Sequence, residues 1–458
     1  MRQLLKYILS LAFVMMTGNT AVAQITKWQS VHVVAKKETL FGIARHYGIT
    51  MDQLAEANPE IKAKDYKLKK GTTLFIPYPQ PSAAVAAATA ISQQPVAPTV
   101  GSAEDLSTRA VRVGVVLPLN NNGRDGRRML EYYRGILMAC DSLKHKGMNI
   151  DVKAWNAPQN ADIQQIATLV EATKPDLIIG PFYANQTSAL ASMSERCGAS
   201  LLIPFSINAP QLYTNSHIFQ VYQTQQEQSE TMITLFMKQF GNGFHPVVID
   251  CGDTTSTKGV FTTGLRRELE VRHIDYSLTS LTTATANFVK AFSTTQPNVV
   301  VLNSASQQSL NSAFGKLSAV QLMVPEAKIS TFGYTEWIIF TNSMIENYYK
   351  FEVSIPSPFY TNLASPATKR LVQKYRWNFH QEMMASYPRF ALTGFDHAFF
   401  FLKGLKQYGR AFDGAYGKLD IMPVQTPLRF ERIGAGGYQN RVMQLIRYKA
   451  NHQVEWTF

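Results

Sequence analysis

A long alternation of strand and helix patterns at residues 111–333 constrains the fold of this chain more than any other feature. Short apolar stretches such as VRVGVVLPL, PDLIIGP and NVVVLNS are continuous, which is typical of strands covered on both faces of a sheet. Helical patterns lie between them, for example Ile163, Ile166, Ala167 and Val170. Repeated β-α units with short connections predict an α/β fold with parallel, doubly wound sheets flanked by helices.

The pattern occurs twice, which predicts two lobes. The first set ends at SLLIPF, residues 200–205, and the second begins at HPVVIDCG, residues 245–252. In the long helix after the first strand, the apolar spacing predicts a buried face made of Tyr133, Ile136, Leu137 and Cys140. Near the end of the chain, two amphipathic helices precede a predicted hairpin with a glycine turn at residues 434–437.

A separate set of local signals lies at residues 31–77, VHVVAKKETLFGIARHYGITMDQLAEANPEIKAKDYKLKKGTTLFIP. The valine-rich start predicts a strand, and Thr39 is a good N-cap for the helix that follows. Thr50 and Gln53 form the capping-box pattern of a second helix, which Asn58 and the proline after it stop. The stretch TLFI predicts a second strand able to pair with the first. The predicted order is β-α-α-β.

Order and residues together resemble the LysM module, a small domain that recognises N-acetylglucosamine-containing glycans such as peptidoglycan. The resemblance rests on ETLFGIARHYGIT, LAEANP and LFIP. It implies that the sugar chain lies in a shallow groove between the turn that opens the first helix and the loop after the second. By position, the glycan-binding residues are Glu38, Thr39, Leu40, Phe41, Asn58, Pro59, Glu60 and Ile61. The alternative is a spacer or protein-docking unit in which Leu40 and Ile61 are core residues.

The chain starts with the pattern of a secretory signal peptide. Arg2 and Lys6 precede an apolar run, and AVA at residues 21–23 predicts cleavage before Gln24. No later stretch reaches the ~20 apolar residues that a membrane-spanning helix needs. The cleavage site also lacks a cysteine that would carry a lipid. We therefore expect an exported protein of the periplasm or cell envelope without a membrane span.

A segment with a different amino-acid composition lies between the two patterned regions. Residues 79–109 are rich in proline, alanine, serine and threonine and almost free of charge, which predicts a flexible linker. We therefore expect a signal peptide at residues 1–23, a LysM-like module at residues 28–78, this linker, and a two-lobed domain at residues 110–458.

Charge and motifs exclude several functions. The net charge is +13, but lysine and arginine are spread along the chain, so we expect weak attraction to anionic envelope polymers and no nucleic-acid binding. Phosphate-loop, nucleophile-elbow and H-E-x-x-H motifs are missing, and no two of the nine histidines have ligand spacing. Asp250 and Asp253, near a strand end, are interpreted as caps. We expect no enzyme, no cofactor and no metal.

The cysteines Cys140, Cys197 and Cys251 form an odd set without a C-x-x-C motif. A disulfide between Cys140 and Cys197 is one interpretation, because export leads to an oxidising compartment. The favoured interpretation is a set of small buried thiols, since Cys140 continues the apolar face of a helix.

The order of elements over residues 111–449 resembles the type I periplasmic-binding fold, the class of leucine/isoleucine/valine-binding proteins and amino-acid receptor ectodomains. The resemblance rests on recurrent pieces such as VGVVLPL, DLIIGPFYANQTSALA, LLIPFSINAP and TGFDHAFFFLKGL. It implies that a ligand carboxylate meets hydroxyls and backbone N–H groups just past the IIGP strand and the strand ending in IPFS. By position, the ligand-cleft residues are Tyr183, Ala184, Asn185, Ser206, Ile207 and Asn208.

The chemistry of these positions suits an anion, because strand ends and helix N-termini at such a cleft present unpaired N–H groups. The alternative is that these residues only cap helices and that the cleft is vestigial.

These expectations combine into a secreted, non-catalytic envelope protein. Its LysM-like module binds peptidoglycan, and its two-lobed domain binds a small solute such as an amino acid or a wall peptide. The same fold also occurs in activator proteins of peptidoglycan synthases, which implies an alternative. In that alternative the protein is a regulator or scaffold whose binding-fold domain docks to a synthase or another envelope partner. The sequence leaves the ligand, the partner and the oligomeric state open.

Overall fold

The structure, a computed structural model, describes residues 30–34, 38–47, 49–62, 66, 68–77, 106, 109–120, 123–415, 419 and 421–457. These residues fall into two compact units, Met1–Gly101 and Ser102–Phe458, and each is described by itself. The predicted signal peptide lies outside the described residues, and so does the predicted linker apart from residues 106 and 109.

The N-terminal unit has the predicted β-α-α-β order. Its elements are β1 (Ser30–Val33), α1 (Leu40–His46), α2 (Met51–Ala57) and β2 (Thr73–Ile76). The two strands pair antiparallel. The Thr39 hydroxyl accepts the Gly42 N–H, and the Thr50 and Gln53 side chains form the predicted capping box. Both caps satisfy N–H groups that the first helical turn leaves without helical partners.

The second unit contains two seven-stranded sheets, which define two lobes. Lobe 1 begins with β3 (Val111–Leu117), α3 (Gly123–Lys144), β4 (Ile150–Asn156), α4 (Ile163–Glu171), β5 (Leu177–Ile179), α5 (Thr187–Cys197), β6 (Ser200–Ile203) and β7 (Ile218–Gln220). Lobe 2 follows with α6 (Gln225–Phe240), β8 (His245–Asp250), α7 (Gly259–Val271), β9 (Ser277–Ser280), α8 (Thr285–Phe288), β10 (Asn298–Leu302), α9 (Gln307–Met323), β11 (Ile329–Phe332), α10 (Thr341–Lys350) and β12 (Val353–Ser357). The predicted parallel, doubly wound sheets are confirmed.

The last hundred residues are shared between the lobes. Their elements are α11 (Pro366–Phe379), α12 (Phe390–Tyr408), β13 (Phe430–Arg432), β14 (Tyr438–Asn440), β15 (Gln444–Tyr448) and β16 (Val454–Thr457). The sheet of lobe 1 has the order β13-β14-β7-β6-β5-β3-β4, and the sheet of lobe 2 has the order β16-β15-β12-β11-β10-β8-β9. The predicted glycine-turn hairpin is therefore β13-β14, and the strand after it joins the other sheet.

Three crossings connect the lobes, and each leaves a sheet at the carboxyl ends of its parallel strands. They are residues 221–224 after β7, residues 358–365 after β12, and residues 441–443 after β14. The loops that follow β3, β5 and β6 therefore face those that follow β8, β10 and β11 across a cleft. Open α/β sheets bind ligands at this edge.

Helices α3 and α12 of lobe 1 pack with their backbones in contact. A Cβ atom on Gly135 would lie 1.9 Å from the carbonyl oxygen of Ala391, and one on Gly394 would lie 2.0 Å from that of Tyr132. Neither carbonyl can move without separating the two helices, because the interior is close-packed. Glycine at both positions therefore permits this packing.

The buried face of α3 differs from the prediction by one position. Tyr132 is fully buried, whereas Tyr133 and Leu137 are only half-buried. The predicted Ile136 and Cys140 are buried as expected. The difference arises because α12 covers a second side of α3, which the spacing of a single amphipathic face does not reveal.

All three cysteines are free. Cys140 packs into the core on one face of the lobe 1 sheet, and Cys197 lies against the core on the opposite face. The sheet separates the two thiols, so the Cys140–Cys197 disulfide does not form. Burial raises the pKa of Cys140 to about 12, so this thiol stays protonated at neutral pH.

We expect Gly135→Ala to lower the free energy of unfolding by roughly 2–3 kcal/mol, because the added methyl group forces α3 and α12 apart. The matched control is Gly315→Ala inside α9, where a Cβ atom meets nothing within 4 Å. This control should raise stability by about 0.5–1 kcal/mol through helix propensity. Urea unfolding measures both, and a harmless Gly135→Ala would contradict the close packing.

Candidate functional site

The predicted glycan surface of the N-terminal unit includes residues that are part of its core. Leu40 and Ile61 are half-buried and pack against the cluster that contains Ile43 and Leu54. Asn58 is fully buried, and its side-chain amide donates to the carbonyl oxygen of Leu54 at 2.8 Å. The side chains of Leu40, Ile61 and Asn58 therefore pack beneath the predicted glycan surface. Their contact with a sugar stays a prediction.

Other predicted glycan residues face solvent. Phe41 is 66% exposed in the first turn of α1. Pro59 is exposed at the start of the 3-10 turn Pro59–Lys62, which also contains Glu60, whose side chain lies outside the described part. The carboxylate of Glu38 lies 2.8 Å from His32 Nε2. The exposed ring of Phe41 offers a large, rigid apolar contact area. The bond to His32 connects Glu38 to β1.

Residues 183–185 lie where β5 ends, as predicted. The Tyr183 hydroxyl donates to Asp125 Oδ2 at 3.5 Å, which joins this loop to the first turn of α3. Asn185 is exposed and donates to the carbonyl oxygen of Gln159 at 3.2 Å, and Ala184 is exposed. Burial, with a smaller contribution from Asp125, raises the pKa of Tyr183, so its hydroxyl remains a donor at neutral pH.

Residues 206–208 lie where the neighbouring strand β6 ends. The Ser206 hydroxyl accepts the Asn208 N–H at 3.2 Å and therefore closes a local turn. Ile207 is 51% exposed, and Asn208 is also exposed. The structure thus brings all six predicted cleft residues to one edge of lobe 1, on adjacent parallel strands.

An aromatic cluster supports this edge, and it was not predicted. The ring of Phe205 lies 5.1 Å from Tyr132, 6.0 Å from Phe182, 6.1 Å from Tyr222 and 5.7 Å from Phe390, measured between centroids. A sequence signal was present, because PFY and PFS directly follow two of the predicted strands. The cluster gives this edge of the sheet a rigid apolar base made of aromatic rings.

Three arginines at the start of α3 were also missed. Arg124 and Arg127 are exposed, and the Arg128 guanidinium lies 5.5 Å from the centroid of the Phe390 ring. Among the described residues, none of the three has a carboxylate partner. The signal is the RDGRR sequence directly after the first strand, because helices that follow a parallel strand begin at its carboxyl end. This edge of lobe 1 is therefore electropositive.

The facing edge of lobe 2 is a network of short hydrogen bonds. Asn303 accepts the Cys251 N–H at 2.8 Å and donates to Asp250 Oδ1 at 2.8 Å. Asp253 accepts the hydroxyl of Ser304 at 2.6 Å. These bonds stabilise the carboxylates and lower the pKa of both Asp250 and Asp253, the former chiefly through the backbone N–H of Gly252. The two aspartates accept N–H groups within loop turns, and neither caps the helix that begins at Gly259, so their interpretation as helix caps is wrong.

The two edges do not touch through any directed contact. Within the described residues, no hydrogen bond, ion pair or aromatic contact joins the loops at 118–120, 180–186 and 204–209 to those at 250–258, 303–306 and 333–337. Ile207 on one edge and Val260 on the other are both exposed, so these parts of the two edges face solvent. Open and closed states of such a cleft differ by rotation about the crossings.

The crossings themselves are tied together by buried amides. The carbonyl oxygen of Gln425 accepts the Tyr360 N–H at 3.0 Å and the Gln444 side chain at 3.0 Å, which joins the second and third crossings. Gln223 in the first crossing donates to the carbonyl oxygen of Asn440 at 3.1 Å. Each crossing is therefore bonded to another one, and these residues form the hinge.

Asp396 on α12 holds the segment that carries Gln425. Its carboxylate accepts the N–H groups of Val424 at 2.9 Å, Gln425 at 2.8 Å and Thr426 at 2.8 Å. Asp396 is buried, and burial raises its pKa to about 6 although the three N–H groups lower it. The position of the hinge thus depends on one buried carboxyl group.

Other buried titratable groups are structural. His397 is fully buried, its Nδ1 lies 2.8 Å from the Tyr132 hydroxyl, and burial lowers its pKa to about 3. In the described part of the chain, no group of three or more His, Cys, Asp or Glu side chains is placed to hold a metal ion. No described helix is long and apolar enough to cross a membrane.

The sequence matches two protein families. The family model described as LysM domain matches residues 32–77, and the family model described as periplasmic binding protein matches residues 110–445. No curated protein matches the sequence.

Solved structures share the fold of the second unit. A putative branched-chain amino acid ABC transporter from Rhodospirillum rubrum is 15% identical with a TM-score of 0.55, over 76% of this chain and 100% of that chain. LpoA from Haemophilus influenzae is 15% identical with a TM-score of 0.50, over 77% of this chain and 59% of that chain. This chain therefore corresponds to little more than half of LpoA. At such identities the similarity shows the fold alone.

The raised pKa of Asp396 predicts a pH dependence of stability. An unfolded aspartate has a pKa of about 4, so between pH 4 and 6 the folded state binds more protons than the unfolded state, and stability falls as pH rises. Asp396→Asn cannot titrate. The difference in unfolding free energy, native chain minus variant, should therefore fall by roughly 2–3 kcal/mol between pH 4 and pH 7. Chemical denaturation across this range measures it, and a difference that stays constant or rises would mean that the N–H bonds outweigh burial.

Proposed function

Because the chain belongs to the periplasmic binding protein family and carries a LysM domain at residues 32–77, we propose that it is a non-catalytic protein of the cell envelope with two binding activities. The LysM domain binds peptidoglycan. The two-lobed domain binds a small anionic solute, an amino acid or a wall-derived peptide, in the cleft between its lobes. The family descriptions support a location outside the cytoplasm.

The observation that carries the solute proposal is the charge of the open cleft edge. Arg124, Arg127 and Arg128 lie at the carboxyl edge of lobe 1 and have no carboxylate partner within the described part of the chain. An unpaired guanidinium at a cleft edge is suited to bind a carboxylate through two parallel hydrogen bonds. Lobe 2 presents hydroxyl and amide groups opposite, which suits the polar backbone of an amino acid or peptide.

The geometry of the hinge supports the proposal that the lobes close around a bound solute. The three crossings are short, and their mutual hydrogen bonds keep them together while the lobes rotate. A ligand that contacts both edges binds the closed state better than the open one and so shifts the equilibrium towards closure. This is the physical basis on which such a domain captures or reports a solute.

A second candidate function is docking to a protein partner, such as a peptidoglycan synthase. Apolar side chains are exposed on both edges of the cleft: Ile207 is 51% exposed, Val260 52% and Ile339 60%. Ser206 is already hydrogen-bonded within its loop and Asn185 to the carbonyl oxygen of Gln159 in a neighbouring loop, so fewer side chains remain for a small ligand. Exposed apolar groups around polar loops suit a protein interface.

We expect the full chain to be stabilised by anionic amino acids, short peptides or muropeptides at millimolar concentration. A ligand at ~100 times its dissociation constant raises the unfolding free energy by ~2.7 kcal/mol, which thermal unfolding detects. Arg124→Glu combined with Arg127→Glu should abolish the shift that anionic amino acids cause, because the new carboxylates repel the ligand carboxylate. The control pair, Lys238→Glu with Arg267→Glu on exposed faces of lobe 2, changes the net charge equally and should leave the shift intact. A native chain that responds to none of these compounds would refute the solute proposal for them and favour docking.

We expect Phe41→Ala to weaken binding of the full chain to insoluble peptidoglycan by about tenfold, because the loss of one large aromatic contact costs of order 1–2 kcal/mol. Co-sedimentation with purified sacculi measures the effect. Leu322→Ala, which removes a side chain that is 83% exposed in the second unit, is the control. Unchanged sedimentation of the Phe41 variant would place the sugar-binding surface elsewhere.

A further inference from the structure

A groove on lobe 1 lies apart from the cleft edges. It runs between α11 and residues 380–389, the segment that leads into α12, and it has a volume of about 640 Å³. Leu363, Val372, Met383 and Ala385 supply its apolar lining. None of the cleft residues described above belongs to this lining. A volume of this size lies within the ~300–1,000 Å³ typical of sites for small ligands.

The wall of the groove is fixed from below by a buried carboxylate. Glu131 on α3 is 2% exposed, and its Oε1 accepts the Met384 N–H at 2.7 Å. The other oxygen of Glu131 accepts the hydroxyl of Tyr375, which is fully buried on α11. One side chain thus joins both walls, so the groove is formed before any ligand arrives. A preformed site avoids the entropic cost of ordering a loop on binding.

The charges that line the groove are mostly positive. Arg376 and Glu382 neutralise each other in an ion pair at 2.7 Å. Lys369 is exposed and Arg389 is half-buried, and neither has a carboxylate partner in the part of the chain that the structure describes. The groove therefore has two uncompensated cationic groups beside an apolar floor.

We propose that this groove binds a short anionic peptide with small apolar side chains, and specifically the stem peptide of peptidoglycan. Two cationic groups suit two carboxylates, and the floor of Leu363, Val372, Met383 and Ala385 suits alanine-like methyl groups. The lack of a deep apolar pocket disfavours a fatty acyl chain. The choice of a wall peptide as the source rests on the proposed attachment to peptidoglycan, whereas the anionic-peptide chemistry rests on the groove alone.

The test uses the full chain and a synthetic stem tetrapeptide made of alanine, γ-linked glutamate, diaminopimelate and alanine, without sugars. The absence of sugars keeps the LysM domain out of the measurement. Isothermal titration should include one binding event that belongs to the groove and that persists when the cleft is altered. Lys369→Glu combined with Arg389→Glu should weaken binding by about tenfold or more, through loss of two charge-assisted contacts. Lys238→Glu with Arg267→Glu, a lysine and arginine pair on lobe 2, should leave binding unchanged.

Two further arms separate this site from the cleft and from other occupants. The cleft variant Arg124→Glu with Arg127→Glu should retain binding of the tetrapeptide. Loss in the cleft variant but not in the groove variant would overturn the groove and assign the peptide to the proposed cleft. A tetrapeptide with amidated carboxyl groups should not bind, and equal binding of this peptide, which has no carboxylates, would overturn the charge argument. The wall-peptide assignment would be overturned if millimolar tetrapeptide gave no heat of binding. It would also be overturned if the groove bound a polyglutamate segment but not the tetrapeptide.

Discussion

The arrangement of the second unit depends on three chain crossings that are bonded to one another at the carboxyl edges of two parallel sheets. Parallel strands bring every following loop to one edge, and the crossings turn these two edges towards each other. Gln425 connects the second and third crossings, and Gln223 connects the first crossing to the third. A buried amide with several partners is costly to break, because any group left unpaired keeps its desolvation penalty. The same bonds therefore hold the lobes together at the place where the chain passes between them.

The parts of this structure that follow from local chemistry could be predicted from the sequence. Thr39, and Thr50 with Gln53, cap their helices through side chains that are three residues from the groups they satisfy. The continuous apolar strands were recognisable because strands covered on both faces need no alternation. These signals fix the class of fold and the edge at which the six predicted cleft residues lie.

The parts that depend on distant segments could not be predicted. The return of the chain to lobe 1 brings α12 against α3, and this contact moves the buried face from Tyr133 to Tyr132. The groove is bounded by residues of α11 and of the segment before α12 but is held by Glu131, more than two hundred positions earlier. The role of Ser206 could not be predicted for another reason. A hydroxyl after a strand suits a ligand or a turn equally, and here it closes a turn. Sequence spacing does not distinguish these uses, because both need the same residue at the same place.

The hydrogen bonds that the cleft side chains already make limit the kind of ligand that the lobes could hold. Asn185, Ser206, Asn303, Asp250 and Asp253 all make hydrogen bonds within their own lobe, so a ligand either uses their remaining donors and acceptors or displaces an existing bond at a cost. The arginines at the start of α3 bear no such cost. Recognition at the proposed cleft site would therefore rely on charge more than on an array of hydroxyl groups. Charge at a half-exposed edge acts at longer range but with modest strength and modest selectivity. Such a site suits a class of anionic compounds present at high local concentration, which is the condition that attachment to peptidoglycan would create for fragments of the wall itself.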